Sequence, residues 1–202
     1  MSIVPKSAAT SARGALAPIA RALHGAGVSA NAVTVAGLLI TLAGAAVLTA
    51  GQPALALLML LFGTLADAMD GQVARLSGGG TKLGAFLDST FDRLSDAALC
   101  VATLIVGGAH GDALLFVSGI VALVSGSLVP YIRAKAESLG LTATVGLAPR
   151  EARLALVILG VAAWAVTGSL SLFTAAMVVV AFLSTITAAQ RFAHVARALR
   201  KT

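Results

Sequence analysis

The sequence predicts an all-α integral membrane protein, a bundle of six transmembrane helices with an interfacial amphipathic helix before it. Hydrophobic residues make up 58% of the chain and charged residues only 11%, which excludes an ordinary soluble domain. With His24 taken as neutral, no charge lies between Arg21 and Asp67, and none lies between Arg153 and Arg191. Each stretch exceeds the roughly 20 apolar residues that one span needs. No repeat is evident, so residues 1–202 are expected to form a single domain.

The segment before the first span has the pattern of an amphipathic helix. Over residues 7–24, apolar side chains recur at helical spacing among small and basic ones, as in helices that lie in the membrane interface. A basic tail that only sets topology is the alternative. The predicted apolar face consists of Ala15, Leu16, Ile19, Ala20 and Leu23.

Clusters of glycine, proline and polar residues divide the rest into helical hairpins, because these residues end helices and form turns. The breaks are Gly51-Gln52-Pro53, Gly107 to Gly111, and Thr167-Gly168-Ser169. The six predicted spans are 32–50, 54–75, 83–107, 112–137, 151–167 and 170–197, and the bundle covers 32–197.

The basic residues lie on one side of this arrangement. The three breaks are poor in charge, so the positive-inside rule puts both termini and the basic connections in the cytoplasm. The cell (plasma) membrane is the expected location. The basic residues assigned to this side are Lys6, Arg13, Arg21, Arg75, Lys82, Arg133, Lys135, Arg150, Arg153, Arg191, Arg197, Arg200 and Lys201.

Four aspartates lie at the cytoplasmic ends of the second and third spans. Asp67 and Asp70 share one helix face, and Asp88 and Asp92 share another, because residues three or four apart are neighbours on a helix. At about 5 Å and an effective dielectric constant near 20, each like-charge contact costs roughly 3 kcal/mol. The group must therefore take up protons or bind cations. Capping, or pairing of Asp88 or Asp92 with Arg93, is the structural alternative.

Oxygen ligands in this number suit two Mg²⁺ ions, with Mn²⁺ possible, and such a pair of ions promotes phosphoryl displacement. Gly71 and Gly84 leave room for a ligand beside the helices, and Arg75 offers a planar fork to phosphate. Asp96, one turn beyond Asp92, is not assigned to the metal site.

The run Asp67-x2-Asp70-Gly71-x2-Ala74-Arg75-x8-Gly84-x3-Asp88-x3-Asp92 resembles the signature of the CDP-alcohol phosphotransferase family. The resemblance implies a homodimer that transfers a phosphatidyl group from CDP-diacylglycerol to an alcohol and releases CMP. It implies that all four aspartates bind two metal ions and that Asp92 accepts the alcohol proton. Residues 29–34 look like a polar entry to the nucleotide, or simply a helix start with Ser29 and Asn31 as caps. The implied CDP-diacylglycerol pocket comprises Asn31, Thr34, Asp70, Gly71, Ala74, Arg75, Thr81 and Gly84.

The segments 131–140 and 149–154 look like the phosphatidylinositol-phosphate synthase branch of this family. That resemblance implies inositol 1-phosphate as the acceptor. Topology alone could also explain the basic residues. A phosphatidylglycerophosphate synthase that uses glycerol 3-phosphate would need similar cations and is the closest alternative. The residues expected to hold the acceptor phosphate are Lys135, Arg153, Arg191 and Arg133.

A function of another class, divalent-cation transport, predicts acids near the bilayer midplane on several helices. The four aspartates come instead from two adjacent helix ends, which disfavours it. The expected partners are the two substrates, membrane lipid and a second copy of the chain, with no nucleic acid. Cys100 lies in an apolar segment and is expected to be inert.

Overall fold

The computed structural model describes residues 6–200, with side chains from Leu16 onward. Lys201, and the side chains of Lys6, Arg13 and Ala15, lie outside the described part. The described residues form seven helices and no strand, which confirms the all-α prediction. All predicted helix bounds agree with the structure to within two residues. The helices are α1 Lys6–Gly25, α2 Ala30–Thr49, α3 Pro53–Leu76, α4 Lys82–Ala109, α5 Ala113–Ser138, α6 Arg150–Thr167 and α7 Ser171–Leu199.

Four of the described helices, α2, α3, α5 and α7, are long and apolar enough to cross a membrane. The chain is therefore a multi-pass membrane protein. The other two predicted spans, α4 and α6, are helical, but charged residues extend to Asp96 in α4 and to Arg153 in α6. Their uncharged stretches run only from residue 97 to 109 and from 154 to 167, so length and composition alone do not qualify them.

The turns use glycine as predicted, with one correction. Gly51, Gly111 and Gly168 have φ values of 71°, 66° and 68°, a left-handed conformation that ends the preceding helix. Gly107, predicted to lie in a turn, is instead inside α4. A Cβ atom there would lie 2.6 Å from the backbone nitrogen of Phe116, so this glycine allows α4 and α5 to approach closely.

The helices form two compact units. The first contains the residues up to Gly44 together with Leu58–Ser95. In it, α1 packs on α2 and α3 around a buried cluster, with Leu16 and Leu23 against it and Ile19 48% exposed. The predicted apolar face of α1 is thus largely covered by protein. The buried cluster consists of Ala20, Val33, Met69 and Val73.

The second unit contains Ala45–Leu57 and the residues from Asp96 onward. Within it, α7 packs against α5 and α6. Phe173 is fully buried, and its ring stacks on Trp164 with the centroids 5.9 Å apart. The boundary between the units falls inside α2, α3 and α4. A single domain over 1–202 stays a prediction.

The N-terminus of α5 in this second unit is capped by Asp112. Its carboxylate accepts hydrogen bonds from the Thr174 hydroxyl at 2.6 Å and from the Leu115 N–H at 2.9 Å. Both bonds stabilise the charged form, so they lower the pKa of Asp112, with the Thr174 bond contributing most. Asp112 therefore has a structural role at the helix end.

Candidate metal centre and adjoining cavity

Three aspartates converge where α3 ends and α4 begins. Asp67 and Asp70 leave the same face of α3, and Asp88 comes from α4, which follows after a short loop. One carboxylate oxygen from each of the three residues lies within 4.8 Å of the other two. The structure thus brings together three of the four predicted metal ligands.

The electrostatics of this three-aspartate cluster favour a bound cation. At the observed spacing, each pair of ionised carboxylates costs roughly 3 kcal/mol at an effective dielectric constant near 20. Asp70 is 8% exposed, whereas Asp88 is exposed, so the cluster is open on the α4 side. Carboxylate oxygens are the ligands that Mg²⁺ and Mn²⁺ prefer. The donor set therefore fits a divalent cation.

Asp70 is oriented by a neighbouring helix. The hydroxyl of Thr34 on α2 donates to Asp70 Oδ2 at 2.7 Å and lies 3.0 Å from the carbonyl of Ala30, one turn earlier. Thr34 is itself 8% exposed. A hydrogen bond to a ligating carboxylate fixes its orientation, so Thr34 holds Asp70 ready for a cation.

Asp92 lies outside the three-aspartate cluster. Its Oδ2 atom is 3.4 Å from Nη2 of Arg93, and its side chain is 18% exposed. This is the pairing with Arg93 that the sequence left open as an alternative. Its assignment as fourth ligand and proton acceptor stays a prediction.

A cavity of about 470 Å³ adjoins the cluster, and Asp70 and Asp88 form part of its wall. This volume is within the range of small-molecule sites. The other lining residues come from the start of α2, the end of α3, the following loop and the start of α4. The cavity is lined by Ser29, Ala30, Asn31, Thr34, Asp70, Gly71, Ala74, Ser77, Gly79, Gly80, Thr81, Gly84, Ala85 and Asp88.

Seven of the eight residues predicted for the CDP-diacylglycerol pocket line this cavity. The exception is Arg75, which is exposed and is not among the lining residues. The predicted residues that the structure brings together here are Asn31, Thr34, Asp70, Gly71, Ala74, Thr81 and Gly84.

Sequence reasoning missed other parts of the wall. Ser77, Gly79 and Gly80, to which the sequence analysis assigned no ligand role, belong to the glycine-rich loop between α3 and α4. Its small residues, placed directly between the two aspartate pairs, were the available signal. Ser77 also lies 3.3 Å from Nδ1 of His24, so α1 contacts the same loop. Ala30 and Ala85 carried no signal.

The two motif glycines differ in what surrounds them. A Cβ atom on Gly84 would lie 3.1 Å from Oδ1 of Asn31 and 3.3 Å from the Thr81 hydroxyl. A Cβ atom on Gly71 would meet nothing within 4 Å, although Gly71 lines the cavity. Gly84 therefore leaves room for the side chains of Asn31 and Thr81, whereas Gly71 keeps space open in the cavity.

Two basic residues at the start of α6, Arg150 and Arg153, contact Asp96 of α4. Arg150 Nε donates to Asp96 Oδ1 at 3.1 Å, and Arg153 Nη2 lies 3.9 Å from Asp96 Oδ2. The side chain of Arg153 is 8% exposed. All three residues line a second cavity of about 40 Å³, whose other walls come from α4, α5, α6 and α7.

Arg191 binds backbone carbonyls. Its Nε donates to Val145 O and its Nη1 to Val129 O, both at 2.9 Å. The preceding residue contributes to the same contact, since Gln190 Oε1 accepts from the Leu147 N–H at 3.1 Å. This part of α7 thus holds the connection between α5 and α6.

The last two predicted acceptor-binding residues lie near the end of α5. Arg133 donates to Glu137 at 2.8 Å, and both side chains are 52% exposed. Lys135 is exposed. The described contacts of these predicted acceptor-binding cations are with Asp96, with backbone carbonyls and with Glu137. Their role in acceptor binding stays a prediction.

The chain is similar to known proteins. The model of the CDP-alcohol phosphatidyltransferase family matches residues 27–189. Phosphatidylinositol phosphate synthase of Mycolicibacterium smegmatis is 39% identical over 71% of this chain, and the match covers slightly less than two thirds (65%) of that relative. Archaetidylinositol phosphate synthase of Methanothermobacter thermautotrophicus is 35% identical over 85% of each chain.

Solved structures of a related enzyme have the same fold. Phosphatidylinositol phosphate synthase of Mycobacterium tuberculosis with CDP-DAG bound superposes with a TM-score of 0.82 at 33% identity, covering 89% of this chain and 92% of that one. The same enzyme with manganese and citrate also gives 0.82 at 33% identity, covering 88% and 87% of the two chains. With the family model matching most of its length, this chain belongs to the CDP-alcohol phosphatidyltransferase family.

Proposed function

We propose that the protein transfers the phosphatidyl group of CDP-diacylglycerol to inositol 1-phosphate, producing phosphatidylinositol phosphate and CMP. The observation that supports this proposal most strongly is the three-aspartate cluster beside a cavity of about 470 Å³, with Asp70 and Asp88 in the cavity wall. A divalent cation at the cluster would lie beside a space large enough for a nucleotide. Relatives that make inositol phosphate lipids, among them one whose structure holds CDP-DAG, support the choice of substrates.

The proposed metal ligands are Asp67, Asp70, Asp88 and Asp92, which together would hold two Mg²⁺ ions, with Mn²⁺ as the alternative. The manganese in the structure of the M. tuberculosis enzyme supports this assignment. When bound, such ions neutralise charge on the phosphate oxygens of the donor and on the leaving group.

In the proposed reaction, the acceptor hydroxyl oxygen attacks the phosphorus that carries the diacylglycerol. A new P–O bond forms, the P–O bond to CMP breaks, and CMP leaves with the bonding electron pair. Asp92 accepts the proton of the attacking hydroxyl. Thr34 keeps the Asp70 carboxylate oriented throughout, through its 2.7 Å hydrogen bond.

The proposed acceptor contacts are Lys135, Arg153, Arg191 and Arg133. Arginine forks suit a phosphate dianion because two parallel N–H groups can donate to it. In the structure, Arg153 lines the 40 Å³ cavity beside Asp96, and Arg133 and Lys135 are accessible. Arg191 would combine this role with its contacts to Val129 and Val145.

The proposed membrane arrangement has six spans, α2 to α7, with α1 in the interface. Both termini and the aspartates would face the cytoplasm, in the cell membrane, and the enzyme would be a homodimer. The concentration of basic residues at the corresponding helix ends supports this orientation. The exposed Ile19 leaves α1 an apolar contact to lipid.

The test is an acceptor panel with purified protein, Mg²⁺ and CDP-diacylglycerol. CMP release should require a phosphorylated acceptor and should be fastest with inositol 1-phosphate, with free inositol inactive. Product with glycerol 3-phosphate but not with inositol 1-phosphate would overturn the acceptor while keeping the donor chemistry. Transport of Mg²⁺ into vesicles without CMP release would favour the cation-transport alternative.

A further inference from the structure

The loop between α3 and α4 forms part of the wall of the 470 Å³ cavity, which Ser77, Gly79 and Gly80 line directly. Gly78 and Gly79 have φ values of 92° and 118°, in the left-handed region that favours glycine. Glycine loses more conformational freedom on ordering than any other residue. A loop of this composition therefore needs contacts that hold it in place.

The two helices that the loop connects supply some of these contacts. The Gly79 N–H donates to Ala74 O at 3.0 Å, and the Thr81 hydroxyl accepts a backbone N–H of the first turn of α4 at 3.0 Å. Another contact comes from α1, where Nδ1 of His24 lies 3.3 Å from the Ser77 hydroxyl oxygen. The helix before the first span thus reaches the cavity wall through the His24 side chain.

The contact between His24 and Ser77 continues the packing of α1 on α3. Ala20 and Val73 belong to one buried cluster, and both are fully buried. His24 lies one turn after Ala20, and Ser77 lies one turn after Val73. Each polar residue therefore follows the apolar one on the same helix face. The buried cluster holds the two helices together next to the point where His24 contacts Ser77.

The direction of this hydrogen bond follows from the second contact of Ser77. The Ser77 hydroxyl donates to Val73 O at 3.0 Å, and a hydroxyl has a single hydrogen. Nδ1 of His24 therefore carries the hydrogen of the 3.3 Å contact and donates it to the Ser77 oxygen. A side chain that replaces His24 has to offer a donor in the same place to keep the loop attached to α1.

We propose that His24 is a positioning residue for donor binding, because its side chain ties the loop between α3 and α4 to α1. This rests on the proposed function in that the cavity takes the nucleotide of CDP-diacylglycerol. His24 is not among the residues that line the cavity, and it acts through Ser77 rather than on the reacting atoms. Without it the loop leaves its place more often, so the donor binds less tightly while the chemical step is unchanged.

The first experiment compares His24→Ala with His24→Asn. The amide nitrogen of asparagine keeps a donor close to the position of Nδ1, whereas alanine removes it. In the transfer assay, His24→Ala should raise the KM for CDP-diacylglycerol about 3-fold to 5-fold, the effect of losing one solvent-exposed hydrogen bond. His24→Asn should recover most of this loss. In both variants the kcat and the acceptor KM should stay within about twofold of the wild type.

An unchanged KM for CDP-diacylglycerol in His24→Ala would overturn the proposal, as would a loss that His24→Asn does not recover. Arg21→Gln is the control on the same helix, because Arg21 is exposed and its described hydrogen bond is to the Ala17 carbonyl of α1 itself. It should leave the KM for CDP-diacylglycerol unchanged. An equal rise in Arg21→Gln would assign the effect to α1 as a whole and exclude the positioning role.

A double variant tests whether His24 acts through Ser77. Ser77→Ala removes the acceptor of the hydrogen bond, so adding His24→Ala to it should weaken donor binding no further. The measurement is the KM for CDP-diacylglycerol in the two single variants and the double variant. Additive effects would show that His24 acts by another route.

A measurement without substrates separates this inference from the proposed reaction. Hydrogen exchange at residues 77–81 should be about 3-fold to 5-fold faster in His24→Ala than in the wild type, and close to the wild type in His24→Asn and Arg21→Gln. Unchanged exchange in His24→Ala would overturn the positioning role even if the protein transfers phosphatidyl groups. Faster exchange in a protein that releases no CMP with any acceptor would overturn the reaction and keep the role of His24 in holding the loop.

Discussion

The two charged regions of the protein are built in opposite ways. The acidic region collects three carboxylates within 4.8 Å of one another beside a large cavity. In the basic region, by contrast, Arg150 and Arg153 contact Asp96, and Arg191 binds two backbone carbonyls. Clustered like charges favour proton uptake or a bound cation, whereas charged groups that contact protein groups position parts of the protein. The acidic region is therefore the stronger evidence for a ligand.

The largest effect is expected in the acidic region. Asp70→Asn removes one charge from the three-aspartate cluster and leaves an amide, a weaker metal ligand. The rate of CMP release should fall on the order of 1000-fold, because electrostatic stabilisation of the displaced phosphate depends on the metal. The measurement is CMP release with saturating Mg²⁺, together with titration of Mn²⁺ by electron paramagnetic resonance.

The variant Glu137→Gln, which also removes one carboxylate, serves as the control and should keep its rate and its Mn²⁺ affinity. If Asp70→Asn binds Mn²⁺ as tightly as the wild type, the three-aspartate cluster is not the metal centre, and the contrast between the two regions loses its basis.

Thr34→Val, also in the acidic region, should have a smaller effect than Asp70→Asn. It preserves the shape of the side chain and removes the 2.7 Å hydrogen bond to Asp70. Loss of such a supporting contact typically costs 10-fold to 100-fold in metal affinity or activity. Mn²⁺ titration should show a weaker site with unchanged stoichiometry. Thr64→Val is the matched control, because within the described residues the Thr64 hydroxyl donates to the Leu60 carbonyl of its own helix. Equal losses in both variants would contradict the orienting role.

The three-aspartate cluster of the acidic region could be predicted from the sequence because its residues lie close together along the chain. Helical periodicity puts Asp67 beside Asp70, and the short 77–81 loop returns α4 next to α3, so spacing alone predicted the contact with Asp88. Likewise, glycine and proline marked the helix ends to within two residues. The sequence left open whether Asp92 joins the cluster or pairs with Arg93, its neighbour in the chain, and the structure shows the contact with Arg93.

The contacts of the basic region were harder to predict from the sequence, because they join positions that are distant along the chain. Asp96 meets residues more than fifty positions later in the chain, and Arg191 meets Val129 and Val145. Basic residues at membrane helix ends satisfy the positive-inside rule wherever their side chains point. The sequence therefore predicted their location and left open whether they meet an acceptor or other protein groups.

Gly71→Ala tests whether the cavity beside the aspartates is kept open for a ligand. Alanine fits without a clash and is favoured over glycine inside a helix by about 1 kcal/mol, so the Tm should stay or rise. The new methyl group occupies cavity space, and the KM for CDP-diacylglycerol should rise about 5-fold to 10-fold, as for one poorly accommodated methyl group. Gly25→Ala, also in open space but away from the cavity, should leave that KM unchanged. A lowered Tm with an unchanged KM would assign Gly71 to packing.

The smallest effect is expected where α7 holds the connection between α5 and α6. Gln190→Ala removes the acceptor of the Leu147 N–H, a contact worth about 1 kcal/mol, while Arg191 and Thr187 still hold Val145 and Ala148. Hydrogen exchange at residues 145–148 should therefore speed up about fivefold, and the acceptor KM should rise less than threefold. Thr185→Ala controls for changes in α7 itself, because in the described part of the chain the Thr185 hydroxyl donates to the Ala181 carbonyl of the same helix. A loss of CMP release comparable to that of Asp70→Asn would contradict the contrast between the two regions. The connection between α5 and α6 would then matter as much to the reaction rate as the three-aspartate cluster.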